Sequence, residues 1–594
     1  MRTKNSSGRF ETMRTKQPPN RSHPIAALGA LMVTSLFSSG FTVVPSSIEQ
    51  GSIGPDGIDA LRLQRSPFNL TGRKIVIGQV EVGRPPMFGV DKAQDKLKRI
   101  QPESSFFHLQ LNQVFYRDRL ANQSNLMMGD PIDGETLQTQ VDPHATQVAS
   151  IIFADHKLLQ GIAPSARLYS AAAGGIMRGA QPEDCLAAQT VALQNNNDVR
   201  VINLSFGESL RDDPRPDALL DGNALLTQCV DWSARVHDVL YVIAGNQGKG
   251  GIPIPTDNYN GMTIASSKVV NDRYSKVDFS NLSDTLPTSR PNYHGQESNA
   301  GDRRQISLAA PGHHITVRKL NGQITTGTGT SFATPHVTGT VALLQEWGDR
   351  QLVKSCKRGR GCSLPWTTDE RRHEVMKAVL MNSADKLQDS GDGNLLGMSR
   401  RMIQKNNQDW LTSRSFTAQN LPSDSASNSS SLNIQFGTGH LNASRAYQQF
   451  NGGQWKPGRV PSIGWDYGTI DQSRVVDYAI FPELKANSYI SLTLAWDRRV
   501  DLQDRNLNGK FDLKETFVDR GLNNLDLYLL PAADQDTRRS IASSVSNVDS
   551  VEHIFHKIPR SGQYKIRVVF RSQINEPTQP FALAWWSVPV VGVR

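Results

Sequence analysis

The sequence predicts an α/β protein with a mainly parallel sheet and helices on both of its faces, followed by an all-β sandwich. Two patterns carry this prediction. Between about residues 72 and 345, short apolar runs alternate with amphipathic helical segments, which is typical of a parallel sheet covered by helices. After about residue 451 the runs are short, alternating and rich in β-branched and aromatic residues, which is typical of a sandwich.

The strand-like runs of the first region include KIVIGQV, ARLYSAA, VRVINLSFG, VLYVIAGN and MTIASS, and helical patterns such as PEDCLAAQTVALQ lie between them. In such folds the functional loops lie at the carboxyl ends of the strands. The predicted parts are a signal peptide or N-terminal anchor over 1–45, a linker over 46–71, a large α/β domain over 72–450 and a β-sandwich domain over 451–594.

The N-terminal segment has the pattern of an export signal. Basic residues within 1–22 precede an apolar stretch, IAALGALMVTSLFSSGFTVV, over 25–44. Its length also permits a span, so the sequence predicts a secreted or periplasmic protein, or one anchored to the membrane if this segment is retained. The net charge of +9 falls to about +4 outside residues 1–22, which is too weak and dispersed for a nucleic-acid-binding protein.

Four cysteines in an exported chain permit two disulfides. Cys356 and Cys362 bracket a short basic loop, and their spacing favours a local pair. Cys185 and Cys229 each lie on a predicted helix. Because four cysteines allow three pairings, the sequence leaves the full pattern open.

The stretch GTGTSFATPHVTGTVALL, over residues 327–344, predicts a nucleophilic serine. Small residues lead to Ser331 and a helix begins there, which places the hydroxyl near free N–H groups and the positive end of the helix dipole. A purely structural role, in which Thr330 or Ser331 caps the helix, needs only one of these residues and no run of small residues before it.

A serine hydroxyl is a weak nucleophile and needs a base, for which His144 in HATQVASII is the candidate. The oxyanion of acyl transfer needs a donor, and Asn246 follows a hydrophobic strand. Glu81 ends the first strand and is the candidate acid. Each residue singly has an ordinary structural explanation, but together, in the order acid, histidine and serine, they form a known triad arrangement.

With these motifs, the sequence resembles the subtilisin-like serine proteases, the subtilases, over about residues 72–450. The stretches HATQVA, AGNQG and GTSFATPHVTG carry the resemblance, and GIAPSARLYS, VINLSFG, LAAPG and GTGHLNASRA support it. It implies that Ser331 is the nucleophile, His144 the general base and then acid, and Asn246 the oxyanion donor. It also implies polypeptide substrates. The substrate cleft would be lined by Ser205, Phe206, Gly207, Ala244 and Gly245.

Two departures from the family pattern concern the triad. The family's first strand normally ends in Asp-Thr-Gly or Asp-Ser-Gly, whereas this chain has EVG, and its usual His-Gly-Thr-His reads HATQ here. Glu81 carries the same charge on one more methylene, and Ser-His-Glu triads occur on other folds. The prediction is therefore an endopeptidase with a Glu81 triad, and the alternative is a catalytically impaired scaffold that binds peptides or surface partners. The competing carboxylates are Asp91, Asp95 and Asp142.

Residues 504–515, DRNLNGKFDLKE, satisfy the pattern D-x-[DN]-x-[DN]-G-x5-E of a calcium loop. Because predicted strands rather than helices flank it, we expect a stabilising Ca²⁺ site in the β-domain, with no cofactor required for the chemistry. The surrounding segment also resembles sandwich domains that follow some subtilase catalytic domains, and such a domain could serve adhesion or targeting. The expected ligands are Asp504, Asn506, Asn508, the Lys510 carbonyl, Asp512 and Glu515.

Overall fold

A sheet of seven parallel strands lies at the centre of the first region, with one antiparallel strand at its side. The strands are β1 (Val76–Glu81), β2 (Leu111–Tyr116), β3 (Arg167–Ala172), β4 (Val201–Leu204), β5 (Leu240–Ala244), β6 (Met262–Val270), β7 (Arg273–Lys276) and β8 (Ile306–Pro311). Their order in space is β8-β6-β5-β4-β1-β3-β2, and β7 pairs antiparallel with β6. Every residue of β1 and of β5 is buried, as in parallel strands covered on both faces.

The computed structural model describes part of the chain, and all the residues that it describes belong to one compact unit. The described residues are 51–86, 111–116, 141–156, 158–172, 181–210, 213–216, 218–246, 253–277, 299–300, 303–357, 361–404, 409–412 and 432–590. The predicted signal or anchor over 1–45 lies outside them. Within the described residues, no helix is long and apolar enough to cross a bilayer.

Helices cover both faces of the parallel sheet, which confirms the predicted α/β class. On one face, Ile77 of β1 shares a core with α2 (Pro143–Phe153) and α5 (Thr330–Ser355). On the other face, Val80 of β1 shares a core with α3 (Gln181–Ala192) and α4 (Leu225–His237). Successive residues of a strand point to opposite faces, so β1 contributes to both cores.

Short elements complete the first region. Further described helices are α1 (Leu61–Gln64), α6 (His373–Ser383) and α7 (Ala443–Asn451), with 3-10 turns at Thr368–Arg371 and Trp410–Thr412. A four-residue helical turn at Gln194–Asn197 contains left-handed residues, Asn195 and Asn196. A hairpin is formed by β9 (Ile315–Arg318) and β10 (Ile324–Gly327). Pairs of two-residue strands join Asp155–His156 to Leu159–Gln160, Asn299–Ala300 to Arg303–Arg304, and Cys356–Lys357 to Gly361–Cys362.

The segment predicted as a linker over 46–71 is packed into the protein at residues 51–70. Ile58 and Leu63 are buried in the main core of the first region. The Ile58 carbonyl accepts a hydrogen bond from Ala443 N at 2.7 Å, and the Asp59 carbonyl accepts one from Ser444 Oγ at 2.9 Å. Residues 51–70 are therefore part of the packed region and not a free linker, because their apolar side chains lie in its core and their carbonyls bond to the start of α7.

Two disulfides use all four cysteines. The expected local pair, Cys356–Cys362, closes the basic loop. Cys185 of α3 and Cys229 of α4 form the second bond, across 44 positions of sequence. This bond joins the two helices that cover the same face of the sheet.

The region after α7 forms two sheets around a shared apolar core, which confirms the predicted sandwich. One sheet has the order β11-β13-β20-β17-β18, from strands Gly458–Val460, Val475–Ile480, Tyr564–Ser572, Asn524–Pro531 and Ala542–Ser544, where β11 and β13 are parallel. The other has the order β12-β21-β14-β19, from strands Ile463–Asp471, Thr578–Trp586, Tyr489–Ala495 and Val551–Lys557. A separate hairpin is formed by β15 (Arg499–Leu502) and β16 (Phe517–Gly521), and a 3-10 turn lies at Thr537–Arg539.

The four-stranded sheet of the sandwich packs against α6 through a buried polar network. Asn382 of α6 accepts hydrogen bonds at Oδ1 from Ser491 Oγ at 2.9 Å and from Thr493 Oγ1 at 3.1 Å. Its Nδ2 donates to Gln449 Oε1 of α7 at 2.7 Å. Buried polar groups carry a large cost when they lose their partners, so this network fixes how the sandwich sits on α6.

Candidate active site

Glu81 is the last residue of β1, and its buried side chain reaches the imidazole of His144. Glu81 Oε2 lies 3.2 Å from His144 Nδ1. A bridge between Arg84 and Val141 joins the chain after β1 to the chain before α2, and Asp142 N donates to the Arg84 carbonyl at 3.0 Å. These backbone contacts hold the end of β1 beside the start of α2, which is why a strand-end carboxylate can meet a histidine 63 positions away.

His144 is the second residue of α2, after Pro143, which is tolerated at the first helical position. Asp142 caps this helix, since its Oδ1 accepts Ala145 N at 2.9 Å. The carboxylate of Asp142, one of the competing acids, therefore accepts a hydrogen bond from the N-terminus of α2, while Glu81 contacts the imidazole. The other two competing carboxylates, Asp91 and Asp95, lie outside the described residues.

The electrostatic setting of His144 favours its protonated form. Burial lowers the pKa of His144, but the charge of Glu81, its hydrogen bond and the charge of Asp142 together raise that pKa above its ordinary value. The His144 side chain keeps 36% of its surface exposed, whereas that of Glu81 is fully buried. A histidine in this position can receive a proton from a group in the cleft, and the buried carboxylate stabilises the resulting cation.

Ser331 is the second residue of α5 and only 4% of its surface is exposed. Its Oγ donates to the Ser205 carbonyl at 3.0 Å, and Ser205 Oγ donates to the Ser331 carbonyl at 2.9 Å. Gly329 precedes the helix with φ of +155°, a conformation that favours glycine. The side chains of Ser331 and His144, both described, share no hydrogen bond, although the next residue, Phe332, places its ring 5.7 Å from the imidazole.

Asn246 is buried on the loop that follows β5. The preceding residue, Gly245, accepts a hydrogen bond at its carbonyl from Thr330 Oγ1 at 2.7 Å, and its N–H donates to Ile264 O at 2.9 Å. The loop carrying Asn246 is thus tied to the residue before Ser331.

The predicted cleft residues lie just after β4 and at the end of β5, and both segments contact the start of α5. Ser205 pairs directly with Ser331, and Gly245 pairs with Thr330. Phe206 and Ala244 are buried, and Gly207 is half-buried. The structure therefore brings both predicted segments to the serine, while the role of each residue in substrate binding stays a prediction.

The sequence interpretation overlooked Gln79. This side chain is fully buried in β1, two residues before Glu81, and its Nε2 donates to the Ala145 carbonyl at 3.0 Å. Residues i and i+2 of a strand share a face, so Gln79 and Glu81 both point to the start of α2. The only available signal was a polar residue inside an otherwise apolar buried run.

Comparisons with known proteins agree with this fold. The model of the Subtilase family (Peptidase S8) matches residues 101–399, a range that holds His144, Asn246 and Ser331 and begins after Glu81. Over 233 residues the chain is 31% identical to Subtilisin Savinase of Lederbergia lenta, covering 38% of this chain and 73% of that protein. It is equally identical to an alkaline protease of Shouchella clausii, of which it covers about half, 52%.

Among solved structures, the Prenylagaramide maturation protease PagA aligns over 63% of this chain and 93% of that chain, with 19% identity and a TM-score of 0.34. The α/β fold and the matched motifs define a serine protease. The chain belongs to the subtilase family and is a subtilisin-like serine endopeptidase, as the sequence resemblance implied.

Gln79→Met is expected to lower kcat about tenfold with little change in KM, because it removes the hydrogen bond that holds the start of α2 to β1 and loosens His144. Steady-state kinetics on a peptide substrate check this. The matched control is Gln345→Met, which removes a buried amide further along α5 that contacts Arg200 and Glu370. Equal losses of kcat in the two variants would show a general effect on stability instead.

Proposed function

We propose that this protein is an exported endopeptidase that hydrolyses peptide bonds through a Glu81, His144 and Ser331 triad and an acyl-enzyme. The observation that carries the proposal is the 3.2 Å separation of Glu81 Oε2 and His144 Nδ1. A carboxylate at this nitrogen accepts its proton and leaves Nε2 free to act as the base. The extra methylene of glutamate is accommodated, because the carboxylate still reaches the ring.

In the acylation step, Ser331 Oγ attacks the scissile carbonyl carbon and its proton passes to His144 Nε2. The hydroxyl points at the Ser205 carbonyl in the free protein, so it must rotate to meet His144. Catalytic hydrogen bonds are often long or misaligned before substrate binds. Collapse of the tetrahedral intermediate breaks the C–N bond, and His144 returns the proton to the leaving amine. Water then repeats the sequence on the acyl ester, which releases the second product and restores Ser331.

The oxyanion of the intermediate would be held by the Asn246 side-chain amide and the Ser331 N–H group. Donors that are already oriented stabilise developing charge without reorganisation at the moment of reaction. The ends of β4 and β5, with residues 205–207 and 244–245, would pair with an extended peptide on either side of the serine. The buried contacts of Ser205 and Gly245 with α5 support this arrangement.

Export is supported by the basic and apolar pattern of residues 1–44 and by the two disulfides, which form and persist in oxidising compartments.

We also propose that a structural Ca²⁺ ion binds in the loop between β15 and β16. Asp504 accepts N–H groups of Asn508 and Gly509, and the side-chain amides of Asn506 and Asn508 both meet Asp512 Oδ2 at 2.7 Å. Oxygen-rich side chains gathered on one short loop fit a hard cation.

Phe511 attaches the calcium loop to the α/β region. Its backbone N–H donates to Gln189 Oε1 of α3, and its carbonyl accepts from Gln189 Nε2 at 3.0 Å. The Phe511 ring is fully buried in the core shared by α3 and α4. A cation bound by the Lys510 carbonyl and its neighbours would therefore stiffen the contact between the hairpin and α3.

The folded protein is expected to react with a fluorophosphonate probe at Ser331, because only an activated serine attacks such a reagent. Mass spectrometry of the labelled peptide identifies the site, and Ser331→Ala is the control that must lose the label. If folded wild-type protein stays unlabelled at Ser331, the catalytically impaired scaffold that binds peptides or surface partners becomes the better interpretation.

Glu81→Gln is expected to keep the fold and to lower kcat by roughly 10⁴-fold, because an amide can hold the wrong tautomer of His144. The matched control is Asp142→Asn, which keeps a good helix cap and should change kcat only a few-fold. Glu81 raises the pKa of His144, so its removal lowers that pKa. The acid limb of the residual activity should then move to lower pH, which a pH–rate profile measures. Full activity in Glu81→Gln would assign the role to another carboxylate.

Removal of calcium is expected to lower the melting temperature of the full chain carrying Ser331→Ala, a background that prevents self-digestion. At a free Ca²⁺ concentration of 100 times Kd, binding would raise the free energy of unfolding by about 2.7 kcal/mol. Chelation followed by addition of Ca²⁺ should lower and then restore the melting temperature, and Asp504→Asn should abolish this response. An unchanged melting temperature throughout would remove calcium from the proposal.

A further inference from the structure

His373 is buried where α4, α6 and the sandwich meet, and carboxylates face both of its ring nitrogens. Nδ1 lies 3.0 Å from Asp238 Oδ1 and 3.2 Å from Glu374 Oε2. Nε2 lies 3.0 Å from Asp497 Oδ2, on the sandwich side. The residues of this cluster are outside the predicted triad, cleft and calcium loop.

The backbone fixes the side chains of this cluster in place. Asp238 is the residue that ends α4, with φ of +51°, and its Oδ1 also accepts the His373 N–H at 3.2 Å. Arg372 donates to Asp238 Oδ2 at 3.1 Å, which leaves Oδ1 directed at the ring. His373 and Glu374 are the first two residues of α6 and are 3% and 6% exposed. These three side chains would therefore need little rearrangement to share a ligand.

Hydrogen bonding alone does not satisfy the Nδ1 side of the ring. Nδ1 carries at most one proton, yet two carboxylate oxygens lie within 3.2 Å of it. Glu374 Oε2 accepts no hydrogen bond from any described residue, although Glu374 is more than nine-tenths buried. Its other oxygen faces the Tyr467 hydroxyl at 3.4 Å. A buried carboxylate oxygen without a donor is costly unless a cation is present.

The distances from His373 Nδ1 to the two carboxylate oxygens suit a metal ion in place of the proton on that nitrogen. Each carboxylate oxygen lies 3.0 or 3.2 Å from Nδ1, and two donor atoms at that separation would subtend roughly 90–100° at an ion with bonds of about 2.0–2.2 Å, as zinc forms with nitrogen and carboxylate oxygen. All three donor atoms lie within 4.8 Å of one another. A histidine that binds a metal usually donates its other ring N–H to a carboxylate. Asp497 occupies that position at Nε2.

We propose that Asp238, His373 Nδ1 and Glu374 form a zinc site, with Asp497 as the carboxylate that orients the imidazole. The imidazole ligand disfavours Ca²⁺ and Mg²⁺, which select oxygen. The ion links the end of α4 to the start of α6, and through Asp497 it links both to the sandwich. Its role is structural, since none of these residues belongs to the triad.

The test is zinc binding by the full chain carrying Ser331→Ala, which cannot digest itself and needs no activity as a readout. After chelation and dialysis, calorimetric titration with Zn²⁺ should give one equivalent per chain, and X-ray absorption should show one imidazole nitrogen with oxygen ligands. Glu374→Gln should lose the zinc, while the control Glu370→Gln, a buried carboxylate on the preceding turn, should keep it. Asp497→Asn should weaken binding about 10- to 100-fold.

Two outcomes overturn the proposal. The first is a chain that takes up no stoichiometric zinc, which would leave a protonated His373 held by three carboxylates. The second is a Glu374→Gln variant that binds zinc as tightly as its parent. Asp238→Asn, checked for folding by circular dichroism, gives an independent removal of a ligand. The variant Asp504→Asn should keep the zinc equivalent, which separates this site from the calcium loop.

Discussion

The contact between Glu81 and His144 depends on the end of β1 being fixed against the start of α2. β1 lies between β3 and β4 in continuous parallel register, and each of its residues is buried, so its end cannot shift alone. The bridge from Arg84 to Val141 and the hydrogen bond from Gln79 to Ala145 hold the helix from two sides. Within that frame the side chain of Glu81 reaches the ring of His144, because the backbone places the end of β1 against the start of α2.

The serine side of the site is held by different contacts. α5 begins in the core, and Ser331 and Ser205 exchange hydrogen bonds between side chain and backbone. Thr330 ties the same helix start to the loop after β5. His144 and Ser331, the proposed base and nucleophile, thus lie on two helices on one face of the sheet, α2 and α5, which share its core.

The sandwich shares buried contacts with the α/β region, so the two regions are mechanically joined. Asn382 and Gln449 connect α6 and α7 to the four-stranded sheet, and Phe511 attaches the proposed calcium loop to Gln189 of α3. The Cys185–Cys229 bond ties α3 to α4, whose end carries Asp238 of the proposed zinc site. A cation at the proposed calcium loop would act on α3 and one at the proposed zinc site on α4, and these two helices cover the face of the sheet opposite His144.

Local pattern by itself determined the α/β class, the following sandwich, the serine and histidine motifs, the local Cys356–Cys362 pair and a calcium-type loop between strands. These depend on periodicity and on residues a few positions apart, which the sequence displays directly. Only the tertiary structure decided that Asp142 caps a helix while Glu81 meets His144, that Cys185 joins Cys229, and that residues 51–70 belong to the core. The roles of Gln79 and the cluster around His373 also emerged only there. Apart from the Asp142 cap, each of these depends on groups brought together from distant parts of the chain, and no local propensity encodes such a contact.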